Sequence, residues 1–137
     1  MATKEILVVD DEVGIRELLS EILFDEGYRV HLAENAQQAR EFRINKTPDL
    51  VLLDIWMPDM DGLSLLKEWV SQELLTMPVI MMSGHGTIET ALEKCTIFWK
   101  QKGSLAATSS VISMINLPAF SKEWSRRIRQ EIKFMLR

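Results

Sequence analysis

The sequence predicts an α/β protein, a doubly wound parallel sheet in one domain spanning residues 1–137. Three observations lead there. Strand-like and helix-like stretches alternate along the chain, which implies βαβ units with right-handed crossovers. Two short apolar runs, Ile6-Leu7-Val8-Val9 and Leu50-Val51-Leu52-Leu53, lack polar alternation, as strands covered on both faces do. Each of those runs stops abruptly at acid, the first at Asp10-Asp11 and the second at Asp54. In open parallel sheets, ligands bind at the carboxyl ends of the strands.

The elements follow in order. Residues 4–9 read as the first strand. Residues 12–26 read as a helix, because Ile15, Leu18, Leu19, Ile22 and Leu23 recur at helical spacing, and Gly27 is placed to end it. Tyr28 to Ala33 alternates weakly and suits a strand. Asn35 can cap a second helix that reaches Asn45. Pro48 breaks the chain before a strand at 49–53. Met57-Pro58-Asp59-Met60-Asp61-Gly62 is dense in turn formers. A third helix follows with Leu66, Trp69 and Val70 inward. Pro78 opens the strand Val79-Ile80-Met81-Met82, which ends at Ser83. Gly84-His85-Gly86 forms a loop, and Thr87 can cap a fourth helix.

Composition sets the class. The chain has 137 residues, 47% hydrophobic and 26% charged, as in a soluble globular domain. A single cysteine, Cys95, excludes an internal disulfide framework. No apolar run is long enough to span a bilayer, and the first residues lead into a strand rather than a signal peptide, so the expected location is cytoplasmic. Charge is unevenly spread. Residues 1–94 hold 18 acidic and 8 basic side chains, a net −10, whereas residues 95–137 hold 2 acidic and 8 basic, a net +6. Arg126-Arg127-Ile128-Arg129 fits the solvated face of an amphipathic helix better than a nucleic-acid recognition module.

Neighbouring strands ending at Asp10, Asp11 and Asp54 bring three like charges together, which requires a cation or shared protons. A hard divalent ion with oxygen ligands, Mg²⁺ above all, is the natural partner. Taken singly, each acid fits a helix cap or turn as well; the three together favour a site. Phosphoryl transfer to a carboxylate needs an in-line oxygen nucleophile, a metal and hydrogen-bond donors. Asp54, alone at its strand end, suits the nucleophile. Asp10 and Asp11 suit the metal, and Ser83 offers a hydroxyl donor. His85 beside the site reads as a solvated loop residue, and Met77, Met81 and Met82 read as core filling.

These stretches resemble the receiver domain of bacterial two-component response regulators, a flavodoxin-like fold. The matching segments are Ile6 to Glu12, Leu52 to Gly62 and Met82 to Thr87, and the resemblance covers residues 4–94. The last segment is most similar to receivers of the nitrogen-regulation class. The resemblance implies roles. Asp54 is the phospho-acceptor in a phosphorelay, supplied by a sensor histidine kinase. Asp11, Asp10 (largely through water), Asp54 and the backbone carbonyl of Trp56 hold Mg²⁺. Ser83 is the switch hydroxyl, and Pro58 and Gly62 shape the loop after the acceptor. Such a domain catalyses its own phosphorylation and is no conventional turnover enzyme.

Residues 95–137 depart from the family. Its Lys-Pro pair, which ends a fifth strand and binds the phosphoryl group, has no counterpart; the usual spacing from Ser83 falls on Leu105. Lys100 and Lys102 lie near, without a strand. A second alignment places the fifth strand at Val111–Asn116, so that Leu117-Pro118 occupies the Lys-Pro position. Ser121 then caps a last helix with Trp124, Ile128, Ile132 and Met135 inward. This version restores a five-stranded sheet with an atypical end. A third reading is that unrelated sequence, as from a frameshift, replaces the receiver's last third.

Three functions compete. One is a phosphorylatable, Mg²⁺-dependent receiver. Another is a degenerate receiver that binds partners or forms a homodimer without effective phospho-switching, because the Lys is missing. The third, an Asp-nucleophile phosphatase of the haloacid dehalogenase type, wants a second Asp at position 56, where Trp stands. No membrane or nucleic-acid partner is expected.

Overall fold

The computed structural model describes residues 3–82, 112–115 and 117–136. The described strands are β1 (Glu5–Val9), β2 (Arg29–Ala33), β3 (Leu50–Asp54), β4 (Val79–Met82) and β5 (Ile112–Ile115). They form one sheet in the order β2-β1-β3-β4-β5, with every pair parallel. The helices are α1 (Val13–Asp25), α2 (Ala36–Asn45), α3 (Gly62–Ser71) and a C-terminal helix, Lys122–Met135. Parallel pairing forces a crossover between strands, and α1, α2 and α3 lie in the crossovers that join β1 to β2, β2 to β3 and β3 to β4.

The apolar runs explain why both faces are covered. Leu7, Val9, Val51, Leu53, Val79 and Met81 point to one face and pack with α2 and α3 around Trp69. Ile6, Val8, Leu50, Leu52, Ile80 and Met82 point to the other and pack with α1 and the C-terminal helix around Trp124. Successive strand residues alternate faces, so an unbroken apolar run is what a sheet between two helical layers requires.

Local signals act as read. Asn35 Oδ1 accepts from Gln38 N at 2.8 Å and starts α2. The end of α1 is a Schellman motif: Tyr28 N donates to Leu23 O and Gly27 N to Phe24 O, both at 3.0 Å. Gly27 sits at φ +89°, where a side chain is strained. Leu66 and Trp69 of α3 are buried, while Val70 is half-buried.

The chain after residue 111 follows the second alignment. β5 lies within the expected Val111–Asn116, and Ser121 Oγ accepts from Trp124 N at 3.1 Å to cap the last helix. Trp124, Ile128 and Ile132 are buried and Met135 packs against the same cluster. The predicted helix capped by Thr87 lies outside the described residues, as do Ser83, His85, Cys95, Lys100 and Lys102.

Candidate functional site

Register decides the site. Val9 pairs with Leu53, so Asp10 and Asp54 leave neighbouring strands at the same level. Asp54 in turn lies level with Met82, and Met82 with Ile115. Asp10 and Asp54 are buried, 2% and 1% exposed, while Asp11 faces solvent. One carboxylate oxygen from each of the three lies within 4.8 Å of the others. The sequence expectation that these acids converge is met in this geometry.

Backbone donors orient the carboxylates. Asp10 Oδ1 accepts from Glu12 N at 2.9 Å, turning the side chain over the entry to α1. Asp10 N donates to Ala33 O at 3.1 Å, which anchors the end of β1 against β2. Asp54 Oδ1 accepts from Trp56 N at 3.2 Å. Asp54 Oδ2 is buried and receives no hydrogen bond from the described residues. An acceptor left in that state demands a partner.

Electrostatics point the same way. Burial, followed by the charge of Asp10, pushes the Asp54 carboxyl up to about 8; the Trp56 N–H pulls against this, and Asp11 adds to the rise. With only protein groups around it, Asp54 therefore holds its proton at neutral pH. A cation among the three acids removes the repulsion. The donor set is all oxygen with two or three negative charges, which fits a hard divalent ion. The buried, unpaired Oδ2 lies in that same cluster.

The loop after β3 is held by contacts that sequence reasoning read only as turn chemistry. Gly62 N donates to Ile55 O at 2.7 Å. A Cβ on Gly62 would stand 2.2 Å from the backbone oxygen of Asp54, closer than any real contact, so only glycine lets α3 start against the Asp54 peptide. Asp61 caps α3 through Ser64 N at 2.7 Å. Asp59 crosses to α2 and accepts from Ala36 N and Gln37 N, both at 3.1 Å. Burial works to raise the Asp59 carboxyl, but these backbone donors hold it below the usual range.

Two arginines were not anticipated. Arg16 Nη1 donates to Asp10 O at 2.7 Å and so braces the end of β1 from α1. Arg43, buried on α2, donates from Nε to Leu74 O at 2.8 Å and secures the connection into β4. Both contacts join residues brought together by folding, and neither leaves a local pattern. Leu117, two positions beyond Ile115, is half-buried and packs against the cluster around Trp124.

The comparisons agree with this geometry. The family described as response regulator receiver domain matches residues 6–97. The nitrogen assimilation regulatory protein NtrX of Azorhizobium caulinodans is 44% identical over 90 residues, covering 64% of this chain and 20% of that protein. The chain thus spans about a fifth of the length of the NtrX-type regulators it matches. The receiver domain of NtrX from Brucella abortus superposes with a TM-score of 0.72 at 38% identity, covering 96% of this chain and 97% of that one. TrrA of Thermotoga maritima, a response regulator protein solved in complex with Mg²⁺-BeF, superposes with a TM-score of 0.70 at 28% identity, covering 98% and 100%.

Proposed function

Because this chain belongs to the response regulator receiver domain family, we propose that Asp54 is its phospho-acceptor and that Asp10, Asp11, Asp54 and the Trp56 carbonyl hold Mg²⁺. The observation that carries the reading is the convergence of three carboxylates at the carboxyl ends of β1 and β3, with Asp54 Oδ2 buried and unpaired. Ser83, at the end of β4, is the proposed switch hydroxyl. The domain occupies residues 1–137, with 4–94 in the family pattern and 95–137 divergent. The proposed partners are a sensor histidine kinase and a second copy of the chain, in the cytoplasm. No described helix is long and apolar enough to cross a membrane.

The chemistry follows from the geometry. One Asp54 oxygen attacks phosphorus in line. The bond from phosphorus to the donor's imidazole nitrogen breaks; that nitrogen keeps the electron pair and takes a proton from solvent. Bound Mg²⁺ supplies neutralising charge for the phosphoryl oxygens. The Trp56 N–H holds Oδ1 and so orients the nucleophile. Asp10, fixed by Glu12 N and braced by Arg16, sets the distance between the strand ends. The domain acts as a self-phosphorylating acceptor, not as a turnover enzyme.

The test is intact-mass measurement after incubation with acetyl phosphate, with and without Mg²⁺, beside Asp54→Asn. The expected result is one Mg²⁺-dependent phosphoryl adduct, absent from the variant. No adduct from the folded parent, or an adduct that survives Asp54→Asn, overturns the assignment. A second reading has its own observation: Leu117 packs its side chain into the apolar cluster at the end of β5, where the family places a cation. In that reading the chain accepts phosphate but couples it poorly to a switch. A charge-assisted contact of this kind is worth about 1.5–3 kcal/mol.

A further inference from the structure

The turn that joins β3 to α3 is short, and both of its ends are fixed. At one end Trp56 N donates to Asp54 Oδ1 at 3.2 Å. At the other Asp61 caps α3, and Gly62 N reaches back to Ile55 O at 2.7 Å. Residues 57–60 between them belong to neither strand nor helix. A stretch with no backbone ladder of its own takes its shape from what holds it outside. On the proposed reading this turn carries the Trp56 carbonyl to the ion, so whatever fixes its middle bears on the site.

α2 holds that middle at two successive residues. Asp59 accepts from the N–H groups of Ala36 and Gln37, both at 3.1 Å, with its carboxylate at the positive end of the helix. Met60 Sδ accepts from Arg40 Nη2 at 3.6 Å. Gln37 and Arg40 stand about one helical turn apart, so the two adjacent turn residues meet α2 at successive levels.

Arg40 is itself held on three sides. Its fork donates to Glu68 of α3, Nε to Oε2 at 2.6 Å and Nη2 to Oε1 at 3.2 Å. Nη1 donates to Gln37 Oε1 on its own helix. Hydrogen bonding to Glu68 raises the guanidinium pKa, partial burial opposes this, and the charges of Glu68 and Asp59 add to the rise. With side chains 24% and 26% exposed, the bidentate Arg40–Glu68 pair is sheltered enough to fix a geometry, unlike a freely solvated pair. The turn, α2 and α3 thus share one cation.

Capping alone does not account for this arrangement. α2 already has a local cap in Asn35, whose Oδ1 accepts from Gln38 N at 2.8 Å. Gln37 is exposed, where water can serve its N–H. The carboxylate that serves it instead comes from 22 residues away, on the turn beside the acidic cluster.

We propose that Asp59 and Arg40 are positioning residues for divalent-ion binding: by tying the turn to α2 they fix the Trp56 peptide. The inference rests on the Mg²⁺ reading of the acidic cluster. Asp59 stands outside the clustered acids and acts through the turn. A turn already in place need not be ordered when the ion binds. Groups that orient a metal's ligands change affinity by about 10–100-fold. One backbone ligand among several sets the expected loss for Asp59→Ala near the lower figure.

Titration of the full chain with magnesium chloride, read from the Trp56 amide in proton–nitrogen NMR spectra, tests this beside urea unfolding of each variant. Asp59→Ala is expected to raise the Mg²⁺ Kd roughly tenfold, and Arg40→Gln to raise it as well. Asp59→Asn loses the charge but keeps an acceptor oxygen, so it is expected to recover most of the affinity. Asn35→Ala removes a cap from the same helix without touching the turn. It is expected to lower the unfolding midpoint and leave the Kd at the parent's value. Equal weakening by Asp59→Ala and Asp59→Asn overturns the proposal, because the effect is then one of charge. Equal weakening by Asp59→Ala and Asn35→Ala also overturns it, because the effect is then one of helix stability. A parent whose spectrum ignores Mg²⁺ overturns the metal reading itself, whereas a responsive parent matched by Asp59→Ala and Arg40→Gln overturns only the positioning role.

Discussion

Replacing Asp54 with Asn should stabilise this protein at neutral pH when divalent ions are chelated. Burial and the charges of Asp10 and Asp11 raise the folded-state Asp54 carboxyl to about 8, from an ordinary value of 3.8. Between those two values the folded protein binds a proton that the unfolded chain does not. Stability contributed by this group is therefore fully present below about pH 4 and is lost as pH rises toward 8, by up to about 1.4 kcal/mol per pH unit. At pH 7 the full linkage is about 4 kcal/mol. Relief shared among the three acids, with Asp11 in contact with water, brings the expected gain on removing the charge to about 2–4 kcal/mol. Asn keeps an oxygen for the Trp56 N–H and matches the volume. The assay is urea unfolding followed by tryptophan fluorescence in EDTA at pH 5, 7 and 8.5. The gap between variant and parent should be about 1–2 kcal/mol at pH 5, widen by pH 7 and level off beyond 8. Added Mg²⁺ should narrow it by stabilising the parent. An Asn variant no more stable than the parent at pH 7, or a gap that does not widen from pH 5 to 7, refutes the crowded-carboxylate reasoning.

Two further substitutions test how the scaffold holds the site. Trp124→Ala removes the largest side chain that the C-terminal helix buries against the sheet and should cost about 3–5 kcal/mol in the same unfolding assay; an unchanged midpoint would mean the helix does not cover that face. Gly62→Ala places a methyl group against the backbone oxygen of Asp54, which no side-chain rotation relieves, so the β3–α3 connection must shift at a cost of about 1–3 kcal/mol. That variant should also slow phosphoryl uptake from acetyl phosphate, measured by intact mass, and full retention of both stability and uptake would show that the loop gives way without moving the acceptor.

On the proposed reading, the departure at Leu117 separates chemistry from signalling. Asp10, Asp11 and Asp54 are positioned by β1 and β3, whose strands, caps and loops follow the family pattern throughout. The cation that the family sets at the end of β5 belongs to the divergent third of the chain. A leucine there joins the apolar cluster with Trp124 and Ile128, so an apolar side chain completes the sheet face at that position. On the proposed reading, the phosphoryl-accepting acids and the position of the family's cation thus rest on different segments.

Much of this was legible without coordinates because it is local. The runs at 6–9 and 50–53 announced strands covered on both faces, since only such strands dispense with alternation. Asn35, Gly27 and Ser121 marked helix ends through the geometry their own side chains or backbones adopt. The three acids were conspicuous because each terminates a run, and the parallel sheet places such ends together. What the sequence did not reveal is what depends on register and on distant partners. The rise of the Asp54 carboxyl arises from burial by residues far along the chain. Arg16 reaches Asp10 only because α1 folds back beside β1. Asp59 caps α2 from the loop that follows β3, and the need for glycine at 62 appears only when the Asp54 peptide is seen against it. The basic tail read as a solvated helix face, and its placement beside the end of α1, where Arg129 and Lys133 meet Glu26, was decided by the common sheet surface on which both helices bury their apolar sides. Local patterns depend on neighbours within a turn or a strand, whereas fields, clashes and facing surfaces depend on which elements the core brings together.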